Sequence, residues 1–358
     1  MRKTTAFALA ALLASGAYAS AADNSAGKEA TVTEGTRDAG AAVTLKPAKA
    51  VPKIEADRSA SRDVITDPAA AAKSFTFVGR SSDGKMVNVA PGDAVVKALT
   101  GEKAAEGSRA PLAEGQGEDP ETGDEEGSRQ IVGKDERAQV YNTLRAPYPT
   151  IGYLEMADSS GQQYSCTAAL IGPSTILTAA QCLYNHQNPD DPWRDKFVFW
   201  PGLGGEKNIP FQGVAYDTAY VAQGFIDNYT DNYDSVWQYD LGIVTLQEPI
   251  GNSVGWMGYW AFPNMGKFTA NVVGYPYDKE GFTMWRSACD VKPDEVGDYD
   301  IAYTCDVTDG MVGAPIYIYD QETKSRYIIG VNIGDFGEKN WGLRMYQALF
   351  EWIQTVNK

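Results

Sequence analysis

From Ile131 onward the chain alternates short apolar, β-branched and aromatic runs with clusters of Gly, Pro, Asn and Asp. The runs that predict strands lie at 150–154, 167–171, 196–200, 213–221, 241–246, 268–273, 314–319 and 327–333. Regular short strands punctuated by turn residues predict an all-β sandwich or barrel. The period changes once. Leu343, Tyr346, Leu349, Phe350 and Ile353 recur at helical spacing, so a terminal helix is predicted over 343–356. No repeat at a solenoid period is visible.

Ahead of Ile131 the texture differs. Residues 1–19 read as a secretory signal: Arg2 and Lys3, an apolar core over 4–16, and Ala17-Tyr18-Ala19 as a small-x-small cleavage site. No cysteine follows it for a lipid anchor, and no later apolar run is long enough to cross a bilayer. The expected location is therefore secreted or periplasmic. Residues 20–130 contain two aromatics, Phe75 and Phe77, among Ala, Gly, Ser and charge. Such a stretch buries too little apolar surface to offset its ordering entropy except locally. The local exception is a hairpin predicted from 74–78 and 86–89 around Ser82-Asp83-Gly84. Seven acids within 113–127 predict an extended linker, and Arg109 and Arg129 flank it. The segment 20–130 is read as a pro-region or acidic tail, with a small independent domain as the alternative, and 131–358 as the folded domain.

Composition narrows the functional classes. The net charge is −16, of which −13 falls on 131–358. That argues against nucleic acid or anionic lipid as partner and for an acidic, solvated surface. All four cysteines, Cys166, Cys182, Cys289 and Cys305, lie in the C-terminal part. In an exported protein they predict two disulfides, with three pairings open. The nearest-neighbour pairing would close two short loops, each stabilising by roughly 3 kcal/mol in the chain-entropy account. A zinc site is disfavoured by the lack of any C-x-x-C pair and by the single histidine, His186. No metal or other cofactor is expected.

Three local patterns carry candidate chemistry. Thr178-Ala179-Ala180-Gln181-Cys182 has the frame T-A-x-H-C, where a general base precedes a half-cystine. Asp240-Leu241-Gly242-Ile243-Val244-Thr245-Leu246 has an aspartate opening an apolar strand. Gly310-Met311-Val312-Gly313-Ala314-Pro315 has the frame of a nucleophile loop, G-x-S-G-x-P. Base, orienting acid and nucleophile must converge from separate strands for acyl transfer. With the flanking stretches Ile171-Gly172-Pro173-Ser174-Thr175, Glu248 to Gly255 and Gly274 to Lys279, the chain from 131 to the end resembles the bacterial glutamyl endopeptidases, secreted chymotrypsin-fold serine proteases.

The resemblance implies two antiparallel six-stranded β-barrels of chymotrypsin type with a C-terminal helix packed outside. The first barrel would hold a Cys166–Cys182 bridge and Gln181, the second Cys289–Cys305 and Val312. It also implies that the departures fall on the functional positions. Gln181 stands where the base belongs, and a neutral amide takes no proton near neutral pH. Val312 stands where the nucleophile belongs and has no lone pair. Asn332 stands where the family's specificity histidine meets substrate glutamate. Asp240 alone is retained. The Gly310 and Val312 N–H groups would be the remnant of an oxyanion hole, which needs no particular side chain. His186, five residues past Gln181, is expected to be an exposed loop residue out of reach. Thr308 and Asp309 are expected to lack an activating base. Ser128-Arg129-Gln130-Ile131 looks like an activation junction, but Met311 replaces the acid that pairs with a new N-terminus in animal-type relatives.

The expected function is thus a secreted pseudoprotease that is not an enzyme and works by binding a protein or peptide. The alternatives are an active endopeptidase with non-standard residues and a structural protein engaging its partner through the N-terminal tail. The aromatic stretch Trp256 to Phe262 is read as core for about half its residues and otherwise as a partner surface. Asn228-Tyr229-Thr230 fits a glycosylation acceptor.

Overall fold

The computed structural model describes residues 44–52, 54–55, 67–100, 109–110, 135–262, 264–336 and 339–357. The expected signal, the acidic linker and the junction at Arg129 lie outside them. In chain order the first strands are β1 (Lys49–Ala50), β2 (Ile54–Glu55), β3 (Phe77–Ser81), β4 (Met86–Val89) and β5 (Ala138–Gln139). The first barrel contributes β6 (Ile151–Ala157), β7 (Gln163–Leu170), β8 (Thr175–Thr178), β9 (Asp195–Pro201), β10 (Val214–Ala222) and β11 (Gly242–Leu246). Then come β12 (Gly258–Tyr259), β13 (Phe268–Gly274), β14 (Trp285–Val291), β15 (Asp300–Tyr303), β16 (Pro315–Asp320), β17 (Ser325–Phe336) and β18 (Lys339–Arg344). The α-helices are α1 (Pro68–Ser74), α2 (Asp93–Leu99), α3 (Gln223–Asp227), α4 (Gly251–Val254) and α5 (Gln347–Val356).

Strands β11, β8, β7, β6, β9 and β10 pair in that order, and β10 pairs back to β11, which closes a six-stranded barrel. The second sheet runs β15, β18, β17, β16, β13, β14. The Cys289–Cys305 disulfide joins β14 to the residues after β15, so the ends of this order meet covalently. Cys166–Cys182 ties β7 to the turn after β8 in the first barrel. The two-barrel architecture and this pairing agree with the expectation. Alternation explains the second core: Ala270, Val272, Val291, Ile316 and Ile329 are every-other-residue inward positions and are buried with Tyr303. Tyr259, Trp260 and Met257 are buried as well, so most of the aromatic stretch is core.

Two boundaries differ from the periodicity reading. The terminal helix starts at Gln347, because residues up to Arg344 complete β18 between β15 and β17; Leu343 pairs with Asp300 and Val331 instead of facing a helix core. The order within 67–100 also extends well beyond a hairpin. β3 and β4 pair around the turn at Gly84, and β3 joins the edge of β10 from Phe77↔Ala222 to Ser81↔Thr218. Phe75, Phe77 and Val95 are fully buried. The Phe77 ring stacks on Trp352 of α5 at 4.1 Å, and Trp352 Nε1 donates to the Phe75 carbonyl at 3.1 Å.

Candidate functional site

Strand pairing brings the first two motif positions together. Gln181 lies in the 3-10 turn Ala180–Cys182 directly after β8. Asp240 follows the 3-10 turn Trp237–Tyr239 and precedes β11, which pairs with β8 through Gly242↔Thr178. The Gln181 backbone N–H donates to Asp240 Oδ1 at 2.8 Å, and its side-chain Nε2 donates to Oδ2 at 2.7 Å. The same Nε2 donates a second bond to the Ile333 carbonyl at 2.7 Å. Ile333 has no partner on β18 because the register slips between Asn332 and Gly334, a bulge that frees its carbonyl to face the first barrel. Both protons of the amide are therefore fixed, one on each barrel. Arg194 Nη1 donates to the Gln181 carbonyl at 2.5 Å and completes the clamp.

Asp240 is fully buried, and burial is the dominant influence on it, pushing its carboxyl up to about 7 against the Gln181 and Ala180 hydrogen bonds that lower it. A neutral amide beside it offers no counter-charge, unlike an imidazolium.

The nucleophile-position loop is held by backbone geometry. Gly310 and Gly313 have φ of +89° and +83°. A Cβ at Gly310 would sit 2.5 Å from the Tyr275 carbonyl, and one at Gly313 would sit 2.1 Å from Thr178 Oγ1. Both glycines are thus required by the fold, whatever the loop does. The Val312 carbonyl accepts from Thr167 N at 2.9 Å, and the Gly310 carbonyl accepts from Thr167 Oγ1 at 3.0 Å. Among the described residues, the Gly310 and Val312 N–H groups meet no acceptor, whereas Met311 N–H donates to Thr308 O and Gly313 N–H to Asn332 O. The loop thus leaves free the two donors that an oxyanion would use.

The surroundings are closed. Val312, Asn332 and Asp240 are all 0% exposed and Gln181 is 3% exposed. Asn332 Nδ2 donates to the Met311 carbonyl at 2.8 Å, and its Oδ1 accepts from the buried Tyr303 hydroxyl at 2.5 Å. Asn332 therefore braces the loop from within, with no polar atom directed at solvent. Trp341 stands opposite Gly334 in the β17–β18 pairing and packs its ring against Trp237 at 4.6 Å, both rings buried.

Two other groups carry candidate chemistry. His186 is not an exposed loop residue: its ring is half-buried, stacked on Tyr229 at 4.1 Å and flanked by Tyr184, Phe225 and Tyr233. The Phe225 carbonyl lies 2.8 Å from Nε2, which places the proton there, and burial depresses the imidazole to about 4. Thr308 does have an acid beside it, a point the local sequence hid. Its hydroxyl donates to Asp278 Oδ1 at 2.7 Å. Burial alone would raise Asp278, but the buried Arg137 guanidinium forked onto it wins and holds it below the ordinary range, so it is a weak base. Arg137 also bonds Asp135, and Glu136 N–H donates to buried Asp306 at 2.8 Å. The segment after the expected junction is fastened by these bonds, and Met311 in its place is a fully buried core residue.

A two-barrel β fold with base, acid and nucleophile positions converging between the barrels defines the chymotrypsin-like class. The trypsin family model matches residues 143–323, and the chain belongs to that family. A glutamyl endopeptidase of Bacillus licheniformis is 30% identical over 190 residues, covering 53% of this chain and 55% of that protein. A protein named extracellular metalloprotease from Bacillus subtilis is 28% identical over 227 residues, covering 63% of this chain and 68% of its own length. A solved Glu endopeptidase structure in complex with MPD superposes with a TM-score of 0.54 at 27% identity, covering 63% of this chain and 99% of that one. No group of three His, Cys, Asp or Glu side chains among the described residues is placed to hold a metal ion.

Proposed function

We propose that this chain is an exported, catalytically silent member of the trypsin family that acts by binding a protein or peptide. The observation that carries the reading is the Gln181 amide, with both protons fixed on Asp240 and Ile333, together with the buried Val312 at the nucleophile position. An amide so held neither accepts a proton nor gains one, and valine cannot form an acyl bond. In triad enzymes, removal of the nucleophile or the base alone lowers turnover by on the order of 10⁶. Two disulfides and the sequence of residues 1–19 support export.

The test is labelling by a fluorophosphonate and hydrolysis of glutamyl and general peptide substrates, on the wild type, Q181H, V312S and the double variant. The wild type and both single variants are expected to show neither labelling nor turnover, and the double variant to gain labelling. Turnover that stays with the wild-type protein through successive purification columns overturns the reading.

A further inference from the structure

Two short strands from ahead of the barrels lie on either side of the closed centre. β1 runs parallel to β7, pairing Lys49 with Tyr164 and Ala50 with Ser165, and Val51 N–H donates to the Ser165 carbonyl at 3.0 Å. β2 runs parallel to β17, pairing Ile54 with Gly334 and Glu55 with Asp335. Ser165 precedes the half-cystine Cys166, which is bridged to the neighbour of Gln181; Gly334 follows Ile333, whose carbonyl holds the Gln181 amide. Both contacts therefore fall beside this centre, one on each barrel. From Ala50 to Ile54 an extended chain spans at most about 14 Å. One continuous stretch thus crosses from the first barrel to the second, and Val51 within it is 3% exposed.

The stretch has the character of a bound peptide. Residues 46–55 contain Lys46, Lys49 and Lys53 and one acid, Glu55, on a body whose residues from 131 carry a net −13. Upstream, the Lys46 backbone N–H bonds the buried Glu155 carboxylate of β6. Pro47 and Pro52 favour an extended backbone before any contact forms. Tyr164–Ser165 and Gly334–Asp335 meet β1 and β2 by main-chain pairing, the mode of strand addition.

We propose that the edges Tyr164–Ser165 and Gly334–Asp335 form a groove for a basic, extended segment of a partner protein, and that residues 49–55 are its built-in occupant, which the partner must displace. This rests on the binding reading above and names its site and its control.

The test uses the full-length protein and a fluorescent peptide with the sequence of residues 44–57. V51D places a charge at the buried position and is expected to loosen the occupant. The peptide should bind V51D more tightly than wild type by about tenfold or more, since a tethered strand competes at an effective concentration in the millimolar range. V51A should fall between, and it is the variant read if near-ultraviolet circular dichroism shows V51D unfolded. A peptide carrying K46E, K49E and K53E should not bind. Hydrogen exchange at Ser165 and at Gly334–Asp335 should accelerate together in the loosened variant, because one segment covers both. Equal peptide affinity for wild type and variant, or acceleration at one edge alone, overturns the proposal. A peptide that binds and is cut leaves the groove standing and overturns the catalytically silent reading; a peptide that neither binds nor is cut does the reverse.

Discussion

Gln181 makes to Asp240 the hydrogen bond that a histidine would make, through an amide that takes no proton near neutral pH. The consequence is a buried carboxylate facing a neutral amide, with burial raising it to about 7. An unfolded aspartate ionises near 3.9, so from about pH 4 to 7 the folded chain holds a proton that the unfolded chain has lost. The stability linked to this group therefore falls as pH rises through that window and stays low above it. Q181L removes the Nε2 donor from Asp240 and from the Ile333 carbonyl. The carbonyl loses its partner at every pH, but the bond to an ionised carboxylate, about 1.5–3 kcal/mol, matters only where Asp240 is charged. Urea denaturation should show a larger loss from Q181L at pH 8 than at pH 5. An equal loss at both would mean that Asp240 does not change protonation between them. The motif frames made this pair legible in the sequence. The bond to Ile333 was not legible, because it depends on a bulge in β17 that no local pattern announces.

At the scale of elements, eight strands of the two barrels were readable from alternation and turn residues, whereas β8, β14, β15 and β18 were not; two disulfides were readable from the cysteine count, but their pairing only from the family resemblance. The stretch 67–100 was read only in part. It holds Phe75 and Phe77, the two aromatics of the long segment 20–130, which is otherwise rich in Ala, Gly, Ser and charge. Both are fully buried against residues far along the chain, Phe77 on Trp352 and Phe75 near Tyr239 and Tyr346. Composition averages over a window, whereas docking needs only a few anchors on a ready sheet edge, here β10. The helix start was misplaced for a related reason: Leu343 fits a helical period and a strand period equally, and pairing with β15 and β17 decides it. Phe77 is therefore an anchor whose loss should be felt globally. F77A is expected to destabilise the full-length protein by about 3–5 kcal/mol, the range for emptying a buried aromatic site. A thermal melt checks this, and a change within experimental error would mean that the hairpin is an appendage and not part of the core.

Across the whole molecule, buried polar bonds join the two barrels at the motif positions, and among the described residues Thr167 carries more of them than any motif residue. It sits on β7 with no exposure. Its N–H donates to the Val312 carbonyl, its hydroxyl donates to the Gly310 carbonyl at 3.0 Å, and that same oxygen accepts from Tyr275 N at 3.1 Å. One first-barrel hydroxyl thus satisfies a carbonyl of the nucleophile-position loop and an N–H after β13 at once. With Gln181 on Ile333, it makes the centre a fastening between the barrels. T167V keeps the volume and the backbone bond but leaves both groups without a partner in a buried place. At about 1–3 kcal/mol for each stranded group, the loss should be roughly 2–6 kcal/mol. The readout that separates a fastening from ordinary core packing is cooperativity. If the barrels depend on this bond to unfold together, T167V should lower the slope of the urea transition or split it in two. A lowered midpoint with an unchanged slope would place the coupling elsewhere along the interface, on Gln181 and the segment 49–55.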